Sequence, residues 1–217
     1  MKGDALRAQV LSVKLIPNVN PDLAKALNLE PDHHSIGMFT ANIDDVSYTA
    51  LDEATKKADV RVVYAKSFYG GAANANSKLA GEVIGILAGP TPAEVKSGIN
   101  AALDFLEHGA AFYSAADDDS ICYYAHCISR TGSYLSKVAG IEEGQSLAYL
   151  IAPPIEAIYG LDVAMKAADV TMAAFYGPPS ETNFGGGLLT GSQSACKAAC
   201  EAFADAVKFV ADNPLRY

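Results

Sequence analysis

The 217-residue sequence contains no tryptophan, no cysteine before position 122 and no cluster of Lys and Arg anywhere along its length. The last two absences each close off a class of protein. Four cysteines confined to the second half (Cys122, Cys127, Cys196 and Cys200) do not make a secreted disulfide framework. Sixteen basic against twenty-five acidic side chains leave a net charge of −9, so nucleic acid and anionic membrane surfaces are poor partners. No stretch approaches the ~20 unbroken apolar residues of a membrane span. Met1-Lys2-Gly3-Asp4 opens no apolar signal segment, and a cytoplasmic protein is expected. What the chain does have is material for a core: half its residues are hydrophobic, enough for two small domains.

That material is arranged twice. Leu51-Asp52-Glu53-Ala54-Thr55-Lys56-Lys57-Ala58-Asp59-Val60 returns 110 residues later as Leu161-Asp162-Val163-Ala164-Met165-Lys166-Ala167-Ala168-Asp169-Val170. Upstream, Leu23-Ala24-Lys25 and Leu29-Glu30 return as Leu135-Ser136-Lys137 and Ile141-Glu142, at an offset of 112; downstream, Leu87-Ala88-Gly89 returns as Leu189-Thr190-Gly191, at 102. Three blocks in the same order, with loop-like drift between them, mark a tandem duplication. We divide the chain at 1–110 and 111–217.

Each copy reads as an α/β unit. In the first, residues 9–16 alternate as a strand, and Asn20-Pro21 gives a helix cap followed by proline at the first helical position. Residues 36–41 and 47–50 read as strands around an acidic turn, 51–58 as a helix, and 60–65 and 83–88 as strands. Thr91-Pro92-Ala93-Glu94 has the form of a capping box, with Glu94 reaching back, and opens an amphipathic helix through Val95, Ile99, Ala102, Leu103 and Leu106. Ser192 caps its counterpart, over 195–210.

No catalytic set and no metal site emerge from spacing. Cys127 and Arg130 are too close for a phosphatase loop, which needs five residues between them. Cys196 and Cys200 lie one helical turn apart among alanines, which favours packing over metal ligation. His33-His34, in a turn beside Pro31-Asp32, could touch a metal opportunistically but reads first as a solvated surface turn. The glycine-bearing connections at 67–71 and 176–187 are the least repetitive part of the duplication; lacking a following helix and a Lys, they are not phosphate cradles. The carboxylates differ between copies: Asp44-Asp45 falls opposite Pro154-Ile155, and Glu82 opposite Phe184-Gly185. Converging carboxylates would suit a small ammonium compound, although spacing alone favours an ordinary acidic turn.

The duplicated order of elements resembles the circularly permuted tandem BMC domains of bacterial microcompartment shells, an α+β sandwich. Asp44-Asp45-Val46-Ser47-Tyr48, Asp52-Glu53-Ala54-Thr55-Lys56, Gly81-Glu82-Val83, Ser129-Arg130-Thr131-Gly132-Ser133-Tyr134-Leu135-Ser136, Ala152-Pro153-Pro154, Pro179-Ser180-Glu181-Thr182-Asn183 and Thr190-Gly191-Ser192-Gln193 are similar, nearly end to end, to the L-type shell proteins of ethanolamine-utilisation compartments. The resemblance implies a structural protein rather than an enzyme: a pseudohexameric homotrimer that tiles with other shell proteins. It implies a central pore gated by two loops, here Ser67, Phe68, Tyr69, Gly70 and Gly71, and Ser180, Glu181, Thr182, Asn183, Phe184 and Gly185, with Tyr69 and Phe184 as lining candidates. It implies an ethanolamine site at Asp44, Asp45, Glu82 and Phe112, which reverses the preference for an acidic turn. No cofactor is required; ethanolamine and, for passage through a wide pore, cobalamin are the expected ligands. The alternative readings are a soluble small-molecule sensor built on tandem α/β domains, and an enzyme.

Overall fold

The computed structural model describes residues 1–68, 82–180 and 182–216. The first repeat runs β2 (Val10–Ile16), α1 (Pro21–Ala26), β3 (Ser35–Ala41), α2 (Asp44–Lys57), β4 (Arg61–Phe68), β5 (Glu82–Gly89) and α3 (Pro92–Asp104), the last ending in a π-helical turn, Phe105–Gly109. The second runs β7 (Cys122–Ile128), α4 (Ser133–Ala139), β8 (Ser146–Ala152), α5 (Pro154–Ala167), β9 (Val170–Tyr176), β10 (Gly185–Gly191) and α6 (Gln193–Asp212). Element for element the copies match, and so do their sheets. The first is ordered β2-β3-β5-β4; the second contains β7-β8-β10-β9 and is extended beyond β7 by β6 (Phe112–Ser114) and β1 (Ala5–Leu6). Every described strand pairing is antiparallel. Residues 1–6, grouped by sequence with the first domain, thus add an edge strand to the second sheet.

One expected strand is absent. Residues 47–50 belong to α2, whose first turn holds Asp44 and Asp45. Carboxylates suit a helix N-terminus. The hydroxyls of Ser47 and Thr49 donate to the carbonyls of Ile43 and Asp45, four residues back, so residues that read as strand formers are accommodated in helix. The cap at Thr91 forms, accepting from the Glu94 N–H at 3.2 Å, but the Glu94 carboxylate accepts from the Asp59 N–H instead of reaching back. Ser192 caps α6, which extends at both ends beyond its expected bounds.

The layers alternate. Helices α2 and α3 lie against one face of the first sheet, and α2 also meets the second sheet, where Tyr124 and Tyr149 bond Thr49 and Asp45. Along β8, Leu147, Tyr149 and Ile151 belong to that shared core, whereas Ala148, Leu150 and Ala152 belong to a second one with α5 and α6. This explains why all seven residues of β8 are buried. A buried carboxylate welds the two repeats: Asp52 of α2 accepts from the Gly132 and Leu135 N–H groups, both at 2.8 Å, supplying the N-terminus of α4 with the cap its own sequence lacks. Gly132 permits this approach, since a Cβ there would lie 2.3 Å from the Thr55 hydroxyl oxygen.

Candidate functional site

The start of α2 opens onto a cavity of about 270 Å³ between the two repeats. Asp44 and Asp45 form its acidic end; Tyr48, one turn further along α2, lines it too, with Ala65 and Ser67 from β4, Tyr134, Leu135 and Val138 from α4, Tyr149 and Ile151 from β8, Tyr176 from β9, and Ser180. No Lys, Arg or His is among these lining residues.

Both carboxylates are buried, and their environment is coupled to the cavity wall. The Asp45 N–H donates to Asp44 Oδ1 at 2.9 Å, and the Tyr149 hydroxyl donates to Asp45 Oδ1 at 2.8 Å. The Ser67 hydroxyl also hydrogen-bonds Asp44, and Tyr48 and Ser67 share a hydroxyl–hydroxyl contact. Burial raises the Asp44 carboxyl above its ordinary range, against the opposing effect of Ser67. Burial, reinforced by the charge of Asp44, raises Asp45 well above its ordinary range, with the Tyr149 hydroxyl opposing. Tyr176 is pushed up to about 12, first by burial and then by Asp45. A desolvated pair of carboxylates is neutralised either by protons or by a bound cation.

Of the residues named from sequence, the fold brings Asp44, Asp45, Ser67 and Ser180 to this cavity. Glu82 is elsewhere. It pairs with Phe68 at the start of β5, next to the Ser67–Val83 pair, and strand alternation turns it to the face opposite Ser67. Phe112 is fully buried in the shared core, its ring stacked on Tyr124 at 5.4 Å and tilted against Phe184 at 6.0 Å. Phe184, expected to line a pore, is only 7% exposed because it completes that aromatic stack. Thr182 is buried, its hydroxyl accepting from the Phe184 N–H at 3.3 Å; Asn183 and Gly185 follow in the same short turn into β10. Tyr69, Gly70, Gly71 and Glu181 lie outside the described residues.

Sequence reasoning missed the tyrosines. Tyr48 was recoverable, being four residues after Asp44 on one helical face, had the helix been recognised. Tyr134, Tyr149 and Tyr176 come from the other repeat and carry no local signal.

Comparison with known proteins fits this architecture. Residues 35–116 match the BMC domain family model. Over all 217 residues, and the whole of the relative, the chain is 69% identical to the bacterial microcompartment shell protein EutL of Clostridium perfringens. The chain belongs to the EutL family of shell proteins. The Escherichia coli EutL is 52% identical, over 98% of this chain and 97% of its own length. The crystal structure of the ethanolamine utilization protein EutL from Leptotrichia buccalis superposes with a TM-score of 0.95 at 77% identity, covering both chains completely. As a EutL-family member the chain is a structural component of a microcompartment shell and not an enzyme. The cysteines suit that role: all four are free thiols, Cys122, Cys196 and Cys200 are buried, and burial raises the Cys122 thiol to about 12, which keeps it inert.

Proposed function

We propose that three copies of this EutL-family chain close into a pseudohexagonal tile with a gated central pore, and that ethanolamine occupies the Asp44–Asp45 cavity and biases the gate. The observation that carries the ligand is the buried carboxylate pair among tyrosines, which an ammonium group satisfies by charge-assisted hydrogen bonds. Ser67 and Ser180, at the roots of the two candidate pore loops, both line that cavity, so a ligand held there contacts both loops at once. It shifts the loops only by favouring one of their arrangements.

Ring closure is supported by two faces that the chain covers only in part, α1 packing on Ile36 and Phe209 on Tyr159. On α2, Asp45 and Thr49 are buried where the helix meets the second sheet, Tyr149 bonding Asp45 and Tyr124 bonding Thr49. The matching positions of α5, Ile155 and Tyr159, are exposed, Ile155 to 69%, as is Ile158 opposite Tyr48. Likewise Leu147, Tyr149 and Ile151 of the second sheet meet α2, while their counterparts Ile36, Met38 and Thr40 lie on the outer face of the first sheet, near exposed Tyr64 and Phe68. The contact between the repeats can therefore recur between chains, with α5 of one chain on the first sheet of the next. Such a heterologous contact closes into a ring when its rotation is a whole fraction of a turn.

Titration calorimetry with ethanolamine tests the site: one equivalent per chain is expected, weakened about tenfold or more by Asp45→Asn, the loss of one charge-assisted bond. Unchanged binding removes the site. Sedimentation should give a trimer, and electron microscopy of concentrated protein should show flat arrays with a repeat of about 70 Å, two small domains across; a monomer at every concentration overturns the tile.

A further inference from the structure

We propose that Glu30, Asp32 and His33 form a site for one borderline divalent cation of the Zn²⁺ class, on the turn that leads into β3. Each residue offers a ligand atom, and the three atoms lie within 4.8 Å of one another. The turn itself brings them together. The His33 N–H donates to the Glu30 carbonyl at 2.9 Å across Pro31-Asp32, with proline at the position where a turn favours it. His33 is not the solvated histidine its sequence context suggests: it is 6% exposed, and its Nδ1 is buried without a hydrogen-bonding partner, the one such side-chain atom among the described residues. An orphaned buried ring nitrogen is destabilising, and a cation bound by this imidazole through Nδ1 together with the two carboxylates would give it a partner.

The turn does not need these side chains in order to form. In the second repeat a turn at the same place closes through the Gln145 N–H and the Glu142 carbonyl at 3.2 Å, with Gly144, at a positive φ that Asp32 does not adopt, and Gln145 where the first repeat has Asp32 and His33. One imidazole and two carboxylates make a mixed nitrogen–oxygen donor set, which suits Zn²⁺ with remaining positions for water; Ca²⁺ and Mg²⁺ prefer oxygen alone. Glu30 is also ion-paired with Arg61 at the start of β4. A carboxylate can serve both partners through its two oxygens, so the bound cation would tie this turn to β4.

Metal-free full-length protein titrated with Co²⁺ tests the assignment. The expected result is one equivalent per chain, with visible absorption from nitrogen and oxygen ligands and no thiolate-to-cobalt charge transfer. Asp32→Asn, at an exposed position, and His33→Gln should each weaken binding about tenfold or more, and Zn²⁺ should raise the melting temperature of the unaltered protein but not of Asp32→Asn. Absence of saturable binding, a thiolate charge-transfer band, or unchanged affinity in Asp32→Asn would each overturn the site. Because the Asp32→Asn arm stands alone, a failure of His33→Gln to fold leaves the test intact.

Discussion

Asp52 and Asp162 occupy the same place in the two repeats, each with a lysine four residues on, and the structure gives them opposite weights. Asp52 is fully buried, and its two oxygens accept the Gly132 and Leu135 N–H groups, with Lys56 Nζ 3.5 Å away. Asp162 is exposed and pairs with Lys166 alone, at 2.6 Å. Asp52→Ala strands two buried backbone donors at about 1–3 kcal/mol each. Against this stands relief of the burial that raises the Asp52 carboxyl, and a water can enter the space left to satisfy one donor. A net loss of about 3 kcal/mol follows. Asp162→Ala removes an exposed i,i+4 pair, costing below about 0.5 kcal/mol. Urea unfolding followed by far-UV circular dichroism, at one fixed protein concentration, measures both. Losses within about 0.5 kcal/mol of each other would refute the claim that this carboxylate welds the repeats.

His126 is held neutral, its pKa lowered to about 4 by burial between Phe105 and Tyr124, with Glu53 opposing and Lys56 adding to the shift. Its contribution to stability is full above the unfolded value near 6.5 and is lost as pH falls toward 4, so His126→Phe should gain about 2–3 kcal/mol on the unaltered protein between those limits; parallel stability curves would contradict this. Asp44 and Asp45 have the opposite sign. Their raised values mean that the unliganded protein loses stability as pH climbs from the ordinary carboxylate range through the folded values, while affinity for a cation rises over the same interval; calorimetry with ethanolamine across that window should show binding strengthening with pH. Gly186→Ala places a Cβ 1.9 Å from the Leu150 carbonyl oxygen in the middle of the second sheet and should cost about 3 kcal/mol or more, read as a fall in melting temperature.

Much of the fold is written locally. Asn20 accepts from the Asp22 N–H, Thr91 from Glu94 and Ser192 from Ala195, each where the cap pattern placed it. The strand expected over 47–50 failed because residue type was weighed above hydrogen-bonding options: Ser47 and Thr49 turn their hydroxyls back onto the preceding turn and stay helical. The candidate site was half legible. The difference between the repeats drew attention to Asp44 and Asp45, spacing alone favoured an ordinary acidic turn, and only the family resemblance made them a site; the walls come from residues as far off as Tyr149 and Tyr176, whose approach is set by how the sheets stack. The position of Glu82 was open to derivation. Ile84, Ile86 and Ala88 share its face of β5, on the side away from α2.

That last placement bears on how a duplicated tile can differ between its two kinds of contact. Within the chain, the face of the second sheet that meets α2 ends in Phe184, and α2 presents Asp44 and Asp45 to it. At the matching positions, the outer face of the first sheet ends in Glu82, and α5 presents Pro154 and Ile155. Acid and apolar groups have exchanged sides between the two contacts. If the contact recurs between chains, each interface pairs acidic residues on one side with an apolar surface on the other, but only the one within a chain buries two adjacent carboxylates with a tyrosine hydroxyl already bonded to one of them. Substitution of Ile155 by Asp, its counterpart in α2, should place an unpaired carboxylate in the proposed contact between chains and weaken the proposed trimer, leaving the proposed ethanolamine binding within the chain unaltered. Sedimentation and calorimetry on that single variant separate the two contacts: loss of ligand binding together with the trimer would show that the site requires the neighbouring chain.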